Sequence, residues 1–93
     1  MNADHADSHA FPLALAAEGE RLRIAAIRTG KGLGRRLRDL GLPLGCEIEV
    51  MHRQASGAMV VSQDNARVAL GAGMVHKIMV TFADGTGRPA VEG

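Results

Sequence analysis

The chain has 93 residues and a formal net charge of +1, enough for one small domain with a single modest core and too few for two. Its 46% hydrophobic content is almost wholly aliphatic, because Trp and Tyr are absent and only Phe11 and Phe82 are aromatic. Bulk charge therefore points to no nucleic acid, acidic tail or charged membrane surface, and the single cysteine, Cys46, excludes an internal disulfide.

In chain order, residues 1–10 are polar and without periodicity, and are expected to form a disordered tail. With Asp4 and Asp7 and no basic run they do not resemble a signal peptide, and no stretch approaches the ~18 apolar residues of a membrane span. A soluble, cytoplasmic chain is expected. Structure should begin near Phe11, with Leu13 and Leu15 docking on the core before Glu18-Gly19-Glu20 turns the chain. In Arg21–Arg28, Leu22 and Ile24 alternate with Arg21 and Arg23 as in a half-buried strand, and the alternation slips at Ala25-Ala26, which predicts a bulge.

The stretch TGKGLGRRLRDLGLPLG then reads as one amphipathic helix. Leu33, Leu37 and Leu40 recur at i, i+4 and i+7, and Lys31, Arg35, Arg36 and Arg38 cover the remaining surface. Gly41 suits a left-handed position after the helix and Pro43 cannot continue it. Thr29 is a candidate cap, but Gly30, Gly32 and Gly34 weaken the first turn, so packing on a sheet must hold it. CEIEVMHR alternates cleanly, with Cys46, Ile48 and Val50 on one face. AMVVS and ARVAL follow, joined by a tight turn at Gln63-Asp64-Asn65. Gly71 and Gly73 allow a change of direction, Met74 and Val75 suit a single helical turn, and KIMVTF closes with Ile78, Val80 and Phe82 inward. Residues 84–93, rich in Gly and Pro, are expected to be a flexible tail.

These elements describe a mainly β domain over residues 11–83. The expected architecture is a small five-stranded SH3-like barrel with one short helix between strands 1 and 2, an OB-like barrel being the nearest competitor. The helix should lid one open end with Leu33, Leu37 and Leu40, and barrel closure should remove exposed strand edges.

Motifs for chemistry are sparse. The Walker pattern fails twice, at Ala25 and Gly32, and Gly30, Gly32 and Gly34 form GxGxG rather than GxGxxG, so these glycines are read as serving backbone turns. Nothing places a histidine near Ser56 or Ser62. Of the four histidines, only His5 and His9 fall at ligand spacing. A tail holding them with Asp4 and Asp7 would lose entropy on ordering, so metal capture there is read as adventitious. Cys46 reads as a small hydrophobe. No catalytic residue, cofactor or resident metal is expected.

Leu13, Gly19, Ile24 and Ile27, then Arg36-Leu37 with Leu40-Gly41-Leu42 and Gly45, then Ile48, Val50, Val68-Ala69-Leu70, Ile78 and Val80, form a succession that resembles the FeoA family. Its members are small SH3-like bacterial proteins associated with ferrous iron transport. The resemblance covers about Leu13 to Phe82 and is most distinctive at RRLRDLGLPLG; a departure is GAGMVHKI, with two glycines where the family often has a more helical, charged segment. The same domain type resembles the C-terminal SH3-like domain of iron-dependent repressors, without a preceding winged helix. What the resemblance implies is a non-enzymatic accessory or regulatory module whose partner is the cytosolic portion of a FeoB-type permease, placing it in the cytoplasm or at the periphery of the inner membrane.

On the residues themselves, Arg35, Arg36 and Arg38 taken singly make an ordinary solvated face. Together with Leu40, Gly41 and Leu42 they would form a basic, partly apolar knob suited to an acidic groove on a partner. The alternative is an SH3-like nucleic-acid-binding module, opposed by the near-neutral charge and by the commitment of Phe11 and Phe82 to packing. Self-association is left open.

Overall fold

The computed structural model describes residues 10–28 and 31–83. Residues 1–9 of the tail expected over 1–10, the expected tail at 84–93, the His5/His9 pair and the Thr29 cap lie outside the described residues. In chain order the elements are β1 (Phe11–Pro12), a 3₁₀ turn (Leu13–Leu15), β2 (Arg21–Ile27), α1 (Lys31–Asp39), β3 (Glu47–Arg53), β4 (Met59–Gln63), β5 (Ala66–Leu70), α2 (Ala72–Val75) and β6 (Ile78–Phe82). The strands form one antiparallel sheet in the order β1-β6-β2-β3-β4-β5. This is the small barrel-like β fold expected, with the helix between its first two long strands and one strand more than the five read from the sequence.

The additional strand, β1, is two residues long and pairs Phe11 with Val80 and Pro12 with Met79. Its Pro12 lacks an N–H and so suits the sheet edge, where no outer partner is needed. The following 3₁₀ turn corrects one expectation: Leu13 is fully buried, but Leu15 is 69% exposed, and Ala16 is buried instead. At three residues per turn, positions i and i+3 eclipse while i+2 points elsewhere, so burying Leu13 selects Ala16 and turns Leu15 outward.

Strand β2 is shared by both halves of the sheet, pairing with β3 through Arg21–Arg23 and with β6 through Leu22–Ile27. Its register with β6 shifts between Ile24 and Ala26, the bulge that the broken alternation predicts. A second shift, between Val50 and His52 in β3, falls where the sequence alternates cleanly. Both bends curl the sheet around a core that includes Leu13, Leu22, Ile24, Val50, Val61 and Val80. Phe11 and Phe82 meet with ring centroids 5.2 Å apart and planes tilted by 44°, and both pack against that core.

Asp64 and Asn65 adopt positive φ of 55° and 76°, a two-residue turn whose twist matches the β4–β5 hairpin. Curling leaves β1 and β5 at the two ends of the order, and among the described residues no ladder joins them. The expectation that closure removes every edge is therefore met only in part.

Candidate functional site

The candidate surface is built by the way α1 ends. Asp39 is its last residue, and Gly41 turns the chain with φ of +88°. The N–H of Gly41 then donates to the Arg38 carbonyl at 3.0 Å and that of Leu42 to the Leu37 carbonyl at 2.8 Å. This paired arrangement is a Schellman cap, which brings the residue after the glycine back over the last turn. Leu37 and Leu42 are both fully buried as a result.

Two expectations change here. Leu40, assigned to the lid with Leu33 and Leu37, is 40% exposed, because it sits at the helix end before the reversal. Leu42, assigned to the partner-binding surface, is buried in its place, so its side chain belongs to the core. Leu33 is half-buried against the core as expected.

Arg35, Arg36 and Arg38 are exposed, and they carry no ion pair or side-chain hydrogen bond among the described residues. Arg36 and Arg38 lie in the last turn, where their charge complements the unsatisfied carbonyl end of the helix. Downstream of the cap, Leu44 is 60% exposed in the Pro43–Gly45 turn. Arg23 holds that turn, donating from Nη1 to the Gly45 carbonyl at 3.1 Å while Nη2 lies 3.8 Å from Glu47 Oε2. The exposed set is thus Arg35, Arg36, Arg38 and Leu40, with Gly41 as the pivot and Leu44 beside it. Sequence reasoning missed Leu44, although a leucine between Pro43 and Gly45, outside any strand alternation, is a readable signal of exposure.

Elsewhere the polar groups serve structure. Arg53 donates Nη1 to the Ala16 carbonyl and Nη2 to the Ala14 carbonyl at 3.0 and 3.1 Å, tying the 3₁₀ turn to the end of β3. Glu18 Oε2 accepts from the Arg53 backbone N–H at 2.8 Å and lies 3.3 Å from His52 Nδ1. Cys46 is half-buried just before β3, and burial is the largest influence on its thiol, raising its pKa above the ordinary value against weaker opposing effects from a backbone hydrogen bond and Arg23. An open polar groove of about 520 Å³ is lined by Arg21, Glu47, Glu49, Ser62, Asp64 and their neighbours, with no histidine beside Ser62 to activate it. Among the described residues, no three His, Cys, Asp or Glu side chains gather as a metal site, and no helix is long and apolar enough to cross a membrane. What the outer face of α1 can do chemically is bind: it presents fixed cations beside desolvatable leucine surface.

Comparison with known proteins places this geometry in context. The FeoA domain family model matches residues 11–81. A Methanocaldococcus jannaschii protein named "Putative Fe(2+) transport protein A" is 35% identical over 74 residues, covering 80% of this chain and 89% of that protein. Among solved structures, an iron uptake regulatory protein, FeoA, superposes with a TM-score of 0.71 at 26% identity, over 77% of this chain and 96% of the other. A manganese-dependent transcriptional repressor superposes with a TM-score of 0.72 at 25% identity, over 78% of this chain but only 41% of the repressor. This chain thus resembles one part of that repressor and nearly the whole of the FeoA protein.

Proposed function

The chain belongs to the FeoA domain family, and from that premise we propose that it is a small accessory or regulatory protein of ferrous iron uptake, acting by docking on the cytosolic portion of a FeoB-type permease. Iron in this reading is the permease's cargo, and the protein itself works in the cytoplasm or at the inner face of the membrane. The observation that carries the reading is the set Arg35, Arg36 and Arg38, unpaired among the described residues, beside the exposed Leu40. Cations of that kind orient an acidic partner during encounter, and leucine surface that leaves water on contact supplies affinity. Gly41 shapes the surface through its backbone and Leu44 extends it, while Leu42 supports it from beneath.

The test is co-purification of the permease with Leu40→Asp and Arg36→Glu variants, alongside circular dichroism to verify folding. A central contact should cost about 2 kcal/mol, roughly thirtyfold in affinity. Undiminished capture by folded variants would remove this surface from consideration. Ferrous iron uptake in cells carrying the same variants should fall in parallel.

A further inference from the structure

We propose that residues 84–92 cross the polar groove as a strap, setting Asp84, Arg88 and Glu92 against Arg21, Glu49 and Arg67. One row across the sheet carries the argument. Arg21 stands opposite Glu49, Glu49 opposite Ser62, and Ser62 opposite Arg67, so the four share the outer face as direct cross-strand neighbours. Arg21, Glu49 and Ser62 line the open groove of about 520 Å³, and Asp64 of the hairpin turn lines it too. Glu49 is half-buried, and among the described residues Arg21, Glu49 and Arg67 make no ion pair or side-chain hydrogen bond. The row thus presents a cation, an anion and a cation in that order, all uncompensated.

The chain leaves the sheet at the head of that same row. Phe82 pairs with Leu22, and the Ala83 N–H donates to the Arg21 carbonyl at 3.0 Å, which sets Ala83 beside Arg21. The next residues read DGTGRPAVE, with an acid at 84, a base at 88 and an acid at 92. Their order is the complement of the row, met in the same direction. Reach is sufficient. Glu49 lies two strand spacings from Ala83, about 10 Å, and the five residues to Arg88 span up to about 17 Å. Arg67 lies four spacings away, about 19 Å, and the nine residues to Glu92 span up to about 30 Å. Gly85 and Gly87 leave the backbone free to turn from along the strands to across them. Residues 1–9 fit the groove worse: they lead into β1, one strand further out, and carry Asp4 and Asp7 without Lys or Arg, the same sign as Glu47, Glu49 and Asp64. Exposed ion pairs are individually weak, but three on one strap share a single loop closure.

NMR of the full chain tests this. With a nitroxide on Ala90→Cys in a Cys46→Ala background, the amides of Ser62 and Gln63 should broaden. Arg88→Glu should lower the strapped population roughly fivefold and sharpen them, and adding Glu49→Arg should bring the broadening back. In the label-free chain that keeps Cys46, Arg88→Glu should shift the Glu49 and Ser62 amides, so the result does not depend on the cysteine substitution. Unbroadened amides overturn the proposal, including the case in which an added basic peptide then shifts them. So does broadening that survives Arg88→Glu, or a double variant that fails to restore it. Broadening of a spin-free, isotope-labelled chain by a separate nitroxide-labelled one assigns the groove to a second copy and overturns it equally. Arg36→Glu should leave the strap unchanged, which separates its failure from that of the permease contact.

Discussion

Leu37 and Leu42 on the inner side of α1 are fully buried, whereas Arg35, Arg36, Arg38 and Leu40 on its outer side are exposed. These two groups interleave over eight residues, yet they answer to different demands. Inner positions are held by shape and by the loss of apolar surface from water; among the described residues the three outer arginines make no ion pair or side-chain hydrogen bond. Stability and the proposed docking are consequently separable across one short helix and the cap that follows it.

The strongest way to break the comparison is on the inner side. Leu37→Ala leaves a cavity beneath the cap and should destabilise the domain by about 3 kcal/mol in urea unfolding, against a change within about 0.5 kcal/mol for Leu40→Ser. Equal losses for the two would erase the distinction. Next in size is a pair of identical substitutions with opposite expected sign. Gly41→Ala puts a Cβ into a left-handed backbone of φ +88° and should cost about 1–2 kcal/mol. Gly34→Ala, in the helix interior with nothing within 4 Å of the new Cβ, should stabilise by about 0.5–1 kcal/mol. A loss at both would mean that the helix start, too, depends on glycine.

The smallest expected effect concerns Cys46, half-buried between the cap and β3. Its raised pKa, caused mainly by desolvation, means less thiolate in the fold than in the unfolded chain at mildly alkaline pH. Alkylation should be slower in the native protein than in urea, and the gap should narrow as pH rises through the native pKa. The sign for stability follows: the native state holds this proton more tightly, so this contribution is present below the unfolded pKa and declines as pH rises above it. Equal alkylation rates in the two states would contradict the placement of the thiol.

Much of the fold was legible because local and global preferences agree. The slip at Ala25-Ala26 foretold the β2 bulge, Asp64-Asn65 foretold the hairpin turn, and Gly41 followed by Pro43 foretold the helix stop. The bulge in β3 gave no such sign, because the unbroken alternation of CEIEVMHR conceals where the partner strand forces an extra residue. Leu15, Leu40 and Leu44 were harder for a related reason. Hydrophobicity identifies which side chains can be buried, and only the path of the backbone decides which of them are. For the candidate surface, the arginines were readable from helical spacing, but the exchange of Leu40 for Leu42 was not.

From the chain alone came a small aliphatic β domain with one leucine-faced helix, because alternation, helical spacing and turn residues act over a few neighbours. Tertiary structure decided which leucines face water, where the sheet bends a second time and which strands stand at the ends of its order. Those outcomes depend on contacts between residues far apart in sequence, such as Phe11 with Val80 or Arg53 with Ala14. No local pattern encodes a contact of that separation.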